Sequence, residues 1–307
     1  MVLKILLFLV SLAGVFFRLF NTGALVNIVF FVFNKFGKMK PVNLVLFRKS
    51  GQNYYFFDIR TAMSSNFIFT ILEQTDSTNN DAISGIREGN VIHGQCFFTD
   101  RQHSGKGQRG KNWETEPGKG LAMSVAIEKT SAFSPYPFLL HALVSVTCSS
   151  FLEEKLRKSV QIKWPNDIYI NDRKAGGILI ENIFRGKEWR WSVIGIGLNI
   201  NQTGFPENLP RAVSMRQLTG IEYEVNEMAS QLHMTLMEAL DSCKNEDLDK
   251  WMNLYNRLLY KKNQEVILSL KGKQRQYTIQ GVDELGLLQV NDGADVSFSF
   301  GEVEWVL

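Results

Sequence analysis

The sequence predicts an α/β fold, a mixed β-sheet flanked by helices and followed by a small β-barrel. Three observations predict it. From Asn66 onward, short apolar runs alternate with helical stretches. Residues 138–157 carry apolar side chains at dense helical spacing, which indicates a buried helix. After Tyr260 the chain changes to short strands separated by glycine-containing turns, the pattern of a small barrel. We therefore expect three parts, residues 1–65, 66–258 and 259–307.

Within the second part, apolar runs predict the strands and longer periodic stretches predict the helices. The turn Asn171-Asp172 joins two of these strands as a hairpin. The expected strands are residues 95–99, 120–128, 161–164, 168–170, 177–181 and 189–200. Residues 138–157 are expected to form a helix, and residues 224–256 are expected to be mostly helical. The barrel strands are expected at residues 265–270, 276–282, 286–290, 295–299 and 303–306.

The composition is that of a packed globular protein. Hydrophobic residues make up 45% of the 307 residues and charged residues 21%, which excludes a disordered, collagen-like or fully membrane-embedded chain. The net charge of +3 is too small to predict a nucleic-acid partner. The three cysteines are far apart, without a Cys-x-x-Cys pair, so neither a disulfide framework nor a zinc ribbon is indicated. A reducing, cytoplasmic location is expected.

The first 36 residues are almost wholly apolar, broken only by Lys4, Arg18 and Lys35. Their uncharged stretches are shorter than the roughly 18 residues of a clean spanning helix. Three interpretations stay open: an over-extended start with the protein beginning at Met63, a membrane anchor, or a signal peptide or buried helix. Residues 42–60 look strand-like but suggest no role.

Residues 105–110, Gly-Lys-Gly-Gln-Arg-Gly, match the glycine pattern of dinucleotide-binding loops. The residues that follow, including Pro117, Gly118 and Gly120, form a poor helix, so a Rossmann site is not indicated. A Walker A loop fails because Asp100 stands where its first glycine belongs, and the partner motifs of a kinase are missing. The cations in and beside the loop still suit a polyanion such as triphosphate: Arg101, Lys106, Arg109 and Lys111.

Two lysines follow in residues 163–167 (Lys-Trp-Pro-Asn-Asp) and 173–181 (Arg-Lys-Ala-Gly-Gly-Ile-Leu-Ile-Glu). A lysine flanked by small residues can extend its ammonium into a pocket. A buried ammonium is costly unless it meets an anion, such as a carboxylate or a phosphate. We expect Lys163 and Lys174 to converge on one cavity.

Over roughly residues 66–307, the sequence resembles the biotin protein ligases. The matching motifs, in the family's order, are Ser77-Thr78-Asn79, Gln102, residues 105–110, 163–167 and 173–181, and Gly195-Ile196-Gly197-Leu198-Asn199. The resemblance implies a biotinyl/lipoyl ligase-like sheet, related to class II synthetases, with an SH3-like barrel. It also implies a monofunctional ligase that uses ATP and Mg²⁺ to make biotinyl-5′-AMP. The biotin is then transferred to a lysine of a biotin carboxyl carrier domain of a carboxylase.

By matching position, the resemblance assigns roles to individual residues. It implies catalytic roles for Lys174, Lys163 and Asp167. Asp167 would orient the incoming amine, and the alternative that it only caps a turn stays open. It implies biotin contacts for Ser77, Thr78, Asn79, Gln102, Lys106, Gly107, Gln108 and Lys174. It implies ATP or adenylate contacts for Gly105, Lys106, Arg109, Gly110, Trp113, Lys163, Asn166 and Asn199. No set of metal ligands is expected, because the four histidines lack metal-ligand spacing.

The chain departs from the family's common Gly-Arg-Gly-Arg loop, because Lys106 and Gln108 replace both arginines. Two other functions stay open, a lipoate or octanoate ligase of the same architecture and a biotin-binding module without turnover. No helix-turn-helix pattern precedes residue 66, so no nucleic-acid partner is expected. A membrane partner is expected only if the apolar leader is real, and a homodimer is left open.

Overall fold

The computed structural model describes residues 68–128, 133, 136–244 and 247–306, and four strand backbones before them. Those strands are β1 (Val15–Thr22), β2 (Leu25–Val32), β3 (Asn43–Phe47) and β4 (Asn53–Asp58). β1 pairs antiparallel with β2, and β3 pairs with β4. The strand-like character expected of residues 42–60 is thus confirmed for Asn43–Phe47 and Asn53–Asp58, and the other residues of that stretch lie outside the described ones. The interpretations of the leader and of a start at Met63 otherwise concern residues outside the described ones.

A nine-stranded mixed sheet forms the main described layer. Its further strands are β5 (Phe69–Leu72), β6 (Gln95–Thr99), β9 (Gly120–Glu128), β10 (Gln161–Lys163), β11 (Asp167–Ile170), β12 (Arg173–Arg185) and β13 (Glu188–Asn199), in the order β10-β11-β12-β13-β9-β6-β5-β4-β3. β5 and β6 run parallel, whereas the other neighbours run antiparallel. The short strands β7 (Gly105–Lys106) and β8 (Asn112–Trp113) form a separate hairpin.

Helices cover both faces of this sheet. They are α1 (Thr78–Arg87), α2 (Phe138–Leu156), α3 (Met215–Thr219), α4 (Val225–Ser242) and α5 (Leu248–Leu258). α1 packs in a small apolar cluster with Leu72, Phe97 and Val193, while α2 and α4 belong to the main core. Because side chains alternate along a strand, Val193 and its neighbour Ile194 face opposite clusters. No described helix is both long and apolar enough to cross a membrane.

Residues 265–306 contain a five-stranded antiparallel sheet. Its strands are β14 (Glu265–Leu270), β15 (Lys273–Val282), β16 (Leu288–Asn291), β17 (Asp295–Phe298) and β18 (Val303–Val306), in the order β17-β16-β15-β14-β18. This C-terminal sheet packs on the larger one, where the Trp164 indole N–H donates to the Gly286 carbonyl at 2.9 Å. A small C-terminal β-sheet domain is present where the strand pattern predicted a small barrel and the resemblance implied an SH3-like one, and the closure of its strands into a barrel stays a prediction. Both ends of the strand order, β17 and β18, are edges.

Two expected elements have different limits. Residues 224–256, expected to be mostly helical, form α4 and the greater part of α5, and the two helices are separate because the chain is extended at Cys243 after α4. The return strand expected over residues 177–181 begins at Arg173 and runs to Arg185. The loop of residues 105–110 forms part of the β7–β8 hairpin and a 3-10 turn, Gln108–Gly110, rather than opening a long helix.

Candidate active site

A cavity of about 510 Å³ opens between the large sheet, the β7–β8 hairpin and the C-terminal sheet. Its walls come from the start of α1, the β10–β11 turn, β12, β13 and residues 300–305. Thirteen of the residues assigned by the resemblance line it: Ser77, Thr78, Asn79, Gln102, Lys106, Gly107, Gln108, Arg109, Trp113, Lys163, Asn166, Asp167 and Lys174. Segments that lie far apart in the sequence thus meet at one place. Lys163 and Lys174 line the same cavity, as the sequence predicted.

One end of the cavity is polar but uncharged. The Thr78 backbone N–H, at the start of α1, donates to Gln102 Oε1 at 3.0 Å. The Ser124 hydroxyl lies 2.7 Å from Thr78 Oγ1 and 2.5 Å from Asn79 Oδ1. Because these groups are buried and hold one another, they offer fixed donors and acceptors to a neutral polar ligand. Ser124 was missed, since it sits in an otherwise apolar strand.

Glycines in β13 make room for two of the lining side chains. A Cβ atom at Gly195 would collide with the Asn79 amide, and one at Gly197 would collide with the Trp113 indole. A Cβ atom at Gly177 would lie 3.4 Å from the same indole. Trp113 therefore rests directly on the sheet, in a slot that only glycine leaves open.

Strand register brings the catalytic candidates together. Lys163 at the end of β10 pairs across the turn with Asp167 at the start of β11. Lys174, on β12 beside β11, places its Nζ atom 2.7 Å from Asp167 Oδ1. The Lys174 ammonium also lies 5.6 Å from the centre of the Trp113 ring. A carboxylate thus lies between two ammonium-bearing strands at the cavity wall.

The Lys163 ammonium is largely withdrawn from water. Burial lowers the pKa of Lys163 to about 8, and the nearby Lys174, Lys111 and Arg211 cations also lower it. Asp167 acts in the opposite direction and offsets part of this shift. An anion entering the cavity would favour the charged form of Lys163, so this lysine is suited to meet a phosphate or carboxylate.

The glycine loop reaches both neighbouring parts of the molecule. Lys106 Nζ donates to Asn80 Oδ1 at 2.6 Å, which ties the loop to α1. Arg109 has a left-handed backbone, with φ of 56°. A Cβ atom at Gly301 would lie 3.1 Å from Arg109 Cζ, so the guanidinium packs against the C-terminal sheet.

Three buried polar atoms on residues that line the cavity have no hydrogen-bond partner among the described residues. They are Gln108 Oε1, Trp113 Nε1 and Trp305 Nε1. Buried donors and acceptors are almost always paired in folded proteins. Five other unpaired buried atoms of the described residues lie away from the cavity, so these three do not by themselves indicate a ligand.

Three assigned residues lie outside the cavity lining. The Asn199 amide donates to the Lys174 carbonyl at 3.3 Å, and so supports the strand that carries Lys174. A Cβ atom at Gly105 would collide with the Gln102 amide, which explains a glycine there. Gly110 has a φ of 73°, as the turn after Arg109 requires. The contacts assigned to these three remain predictions.

The sequence reasoning missed the wall formed by the C-terminal sheet. Phe300, Gly301, Val303, Glu304 and Trp305 all line the cavity. No local motif marks them, because they belong to ordinary short strands and turns. It also missed Tyr169, which lines the same cavity, whereas Lys111, one of the loop cations expected to suit a polyanion, does line it. Within the described parts of the chain, no group of three or more His, Cys, Asp or Glu side chains could hold a metal ion.

Comparison with known proteins agrees with this geometry. The model of the Biotin/lipoate A/B protein ligase family matches residues 71–199. The bifunctional ligase/repressor BirA of Escherichia coli strain K12 is 27% identical over 238 residues, covering 76% of this chain and 72% of that protein. The chain therefore contains a domain of the Biotin/lipoate A/B protein ligase family over residues 71–199. This confirms the resemblance predicted from the motifs.

Other relatives of the ligase family cover the same region. Biotin–protein ligase 1, chloroplastic, of Arabidopsis thaliana is 31% identical over 215 residues, covering 65% of this chain and 56% of that protein. The biotin protein ligase from Aquifex aeolicus, solved in complex with biotin and ATP, superposes with a TM-score of 0.65 at 26% identity. That superposition covers 79% of this chain and 99% of the other, so it extends beyond the matched family domain.

Proposed function

We propose that this ligase activates biotin with ATP as biotinyl-5′-AMP and transfers the biotin to a lysine of a carrier protein. The observation that carries the proposal is the convergence of Lys163, Lys174 and Asp167 on one cavity beside an uncharged polar pocket. Relatives support it, since the Arabidopsis thaliana protein is named a biotin–protein ligase and the Aquifex aeolicus biotin protein ligase was solved with biotin and ATP.

In the first step, a biotin carboxylate oxygen attacks the α-phosphorus of ATP. A new P–O bond forms, the α–β bond breaks, and pyrophosphate leaves with the electron pair. The carboxylate and the phosphate repel each other, so the reaction needs cations fixed beside both. Lys174 and Lys163 supply them from the strands on either side of β11, while Ser77, Thr78 and Gln102 hold the ureido ring of biotin.

In the second step, the neutral amine of the carrier lysine attacks the acyl carbon of the adenylate. The amide C–N bond forms, the C–O bond to the phosphate breaks, AMP leaves with the electron pair, and a proton of the amine passes to solvent water. A free lysine has a pKa near ~10.4, so only about one in two thousand is neutral at pH 7. Asp167 orients the incoming ammonium and accepts a hydrogen bond from it. Its contact with Lys174 at 2.7 Å fixes the carboxylate in place for this role.

Magnesium enters as part of the MgATP substrate. Mg²⁺ is typically held by phosphate oxygens and waters with one or two protein carboxylates. The cavity offers Asp167 and Glu304, which fits this mode of binding without a dedicated protein cage. Bound there, Mg²⁺ would neutralise triphosphate charge.

The acceptor we propose is the biotin carboxyl carrier domain of a biotin-dependent carboxylase. Relatives named biotin–[acetyl-CoA-carboxylase] ligase, such as that of Mycobacterium tuberculosis at 26% identity over 170 residues, support this choice. We place the reaction in the cytoplasm, because Cys96, Cys148 and Cys243 are all free thiols, as a reducing compartment maintains.

A single assay tests the function. The full-length purified chain is incubated with MgATP, a carrier domain and either radiolabelled biotin or radiolabelled lipoate. We expect label on the carrier with biotin alone, together with pyrophosphate release. Transfer of lipoate alone would favour the lipoate ligase alternative. Biotin binding without pyrophosphate release would favour a non-catalytic module, and either result contradicts the proposal.

A further inference from the structure

Two aromatic rings face the ammonium of Lys163, and a third ring packs against both of them. Lys163 Nζ lies 5.4 Å from the centre of the Tyr169 ring and 5.3 Å from that of Trp305. Tyr260 stands between these two rings, with centroids 5.0 Å from Tyr169 and 5.9 Å from Trp305. We call Tyr169, Tyr260 and Trp305 the aromatic cage.

The cage is firmly held. Tyr169 and Tyr260 are buried, and the Tyr260 hydroxyl donates to Asp172 Oδ1 at 2.7 Å. The Tyr260 backbone N–H donates to the Ile162 carbonyl at 2.9 Å, next to Lys163 itself. Trp305 is fixed in β18 by pairing with Leu268 of β14. The rings therefore come from three separate segments, one of which is the C-terminal sheet.

The cations around Lys163 repel its ammonium, and the aromatic cage opposes this repulsion. Lys174, Lys111 and Arg211 repel its ammonium, and Asp167, the carboxylate that opposes them, is already in contact with Lys174. In the empty cavity, repulsion would push a flexible lysine side chain away from the other cations. Aromatic faces attract a cation without neutralising it, so they hold the ammonium in place and leave its charge for an incoming anion.

We propose that Trp305 and Tyr169 position the Lys163 ammonium for the triphosphate, which makes the C-terminal sheet part of the adenylation machinery. This rests on the proposed ligase function. Trp305 acts through Lys163 and is a positioning residue. The consequence is specific, since losing the cage weakens the use of ATP but leaves the pocket at Ser77 and Thr78 intact for biotin.

The test compares Trp305→Leu with Trp305→Phe, which keeps an aromatic face, in biotin-dependent ATP–pyrophosphate exchange by the full chain. We expect Trp305→Leu to lower kcat/KM for ATP about tenfold, as loss of a desolvated cation–π contact implies. Affinity for biotin stays unchanged, and Trp305→Phe retains most of the activity. The matched control is Val306→Ala, at the exposed neighbouring position of the same strand, and it behaves as the wild type.

A double-mutant cycle separates positioning from general packing. If Trp305 acts through Lys163, Trp305→Leu causes no further loss in a Lys163→Met background. Losses that multiply independently would overturn the proposal, as would a Trp305→Phe variant as impaired as Trp305→Leu. Should Trp305→Leu not fold, Trp305→Met removes the ring with a longer apolar side chain.

A second measurement does not depend on ligase activity. Brief labelling with acetic anhydride, read by mass spectrometry of the lysine-containing peptides, reports how freely each amine is reached. We expect Lys163 to be labelled several-fold faster in Trp305→Leu than in the wild type, with Lys187 unchanged as an internal reference. Equal labelling of Lys163 in both proteins would disprove the cage even in an active ligase. A wild type that is inactive with biotin but shows the labelling difference would refute only the ligase function.

Discussion

At the scale of single residues, the site contains several cations close together, and their mutual repulsion favours the binding of an anion. Lys174 and Lys163 approach one carboxylate, Asp167, from two strands, and the cavity also receives Lys106, Arg109 and Lys111. This density of like charge is unfavourable without a ligand and is relieved by a polyanion. The lysines therefore give the sharpest tests of the mechanism.

Lys174→Ala should greatly reduce adenylation. Removing one fixed electrostatic group from such a site typically costs about 3–4 kcal/mol of transition-state stabilisation, which is a loss of several hundredfold in rate. Biotin-dependent pyrophosphate exchange measures it, with Lys187→Ala, a lysine in an exposed turn, as the matched control. Near-normal exchange by Lys174→Ala would refute the role assigned to this lysine.

The pH dependence should reveal Lys163. Its pKa is lowered to about 8, mainly by burial, so in the free enzyme its charge is lost as the pH rises through that value. Because the profile of kcat/KM reports groups of the free enzyme, kcat/KM for ATP should fall above about pH 8. In Lys163→Arg the side chain stays charged, so the remaining kcat/KM for ATP should no longer fall above that pH. A wild-type profile that stays level well into the alkaline range would contradict the assignment.

Gln108 tests how the loop retains the activated biotin. Its Oε1 atom is buried without a partner, and it has no charge to hold the adenylate. Gln108→Gly should therefore change the escape of activated biotin less than Arg109→Ala, which removes the guanidinium that packs on Gly301. Biotinylation of a bystander protein measures the escape. A large rise in bystander labelling with Gln108→Gly would identify Gln108 as the clamp.

At the scale of elements, a strand or helix was predicted correctly where the pattern of apolar residues within that one segment defines it. Residues 120–128 read as a strand and fold as β9, and the dense apolar spacing of residues 138–157 gives α2. The lysine motifs also fall on the hairpin strands expected for them. The break at Cys243 and the full length of β12 were not foreseen, because tertiary packing and strand pairing set such limits.

The glycines of β13 belong to the motif of residues 195–199, and the structure explains why glycine is needed there. Gly197→Ala would drive a methyl group into the Trp113 indole, at a cost of about 1–3 kcal/mol in displaced packing. We expect kcat/KM for ATP to fall about tenfold or more as this wall moves. Gly204→Ala is the control, since a Cβ atom there meets nothing within 4 Å. Equal activity of the two variants would show that the Trp113 wall does not matter for turnover.

At the scale of the whole molecule, the two sheets share one core. Leu268, Ile279 and Leu288 of the C-terminal sheet belong to the same buried cluster as α2 and β13. The sequence did not predict this shared core, because the pattern of short strands after residue 260 is typical of a separate barrel. The site follows from it, since the cavity is closed on one side by residues 300–305.

The shared core predicts that both sheets unfold in a single cooperative transition. Asn256 at the end of α5 binds Val282 of β15 twice, through its side-chain amide at 2.8 Å and its side-chain carbonyl at 2.7 Å. Asn256→Ala leaves the Val282 backbone groups without partners and should lower the free energy of unfolding by about 1–3 kcal/mol. Calorimetry should show one transition at a lower midpoint, with equal calorimetric and van't Hoff enthalpies. Two separate transitions in the wild type would mean that the C-terminal sheet is an independent domain, and that the cavity wall it forms opens without unfolding the rest.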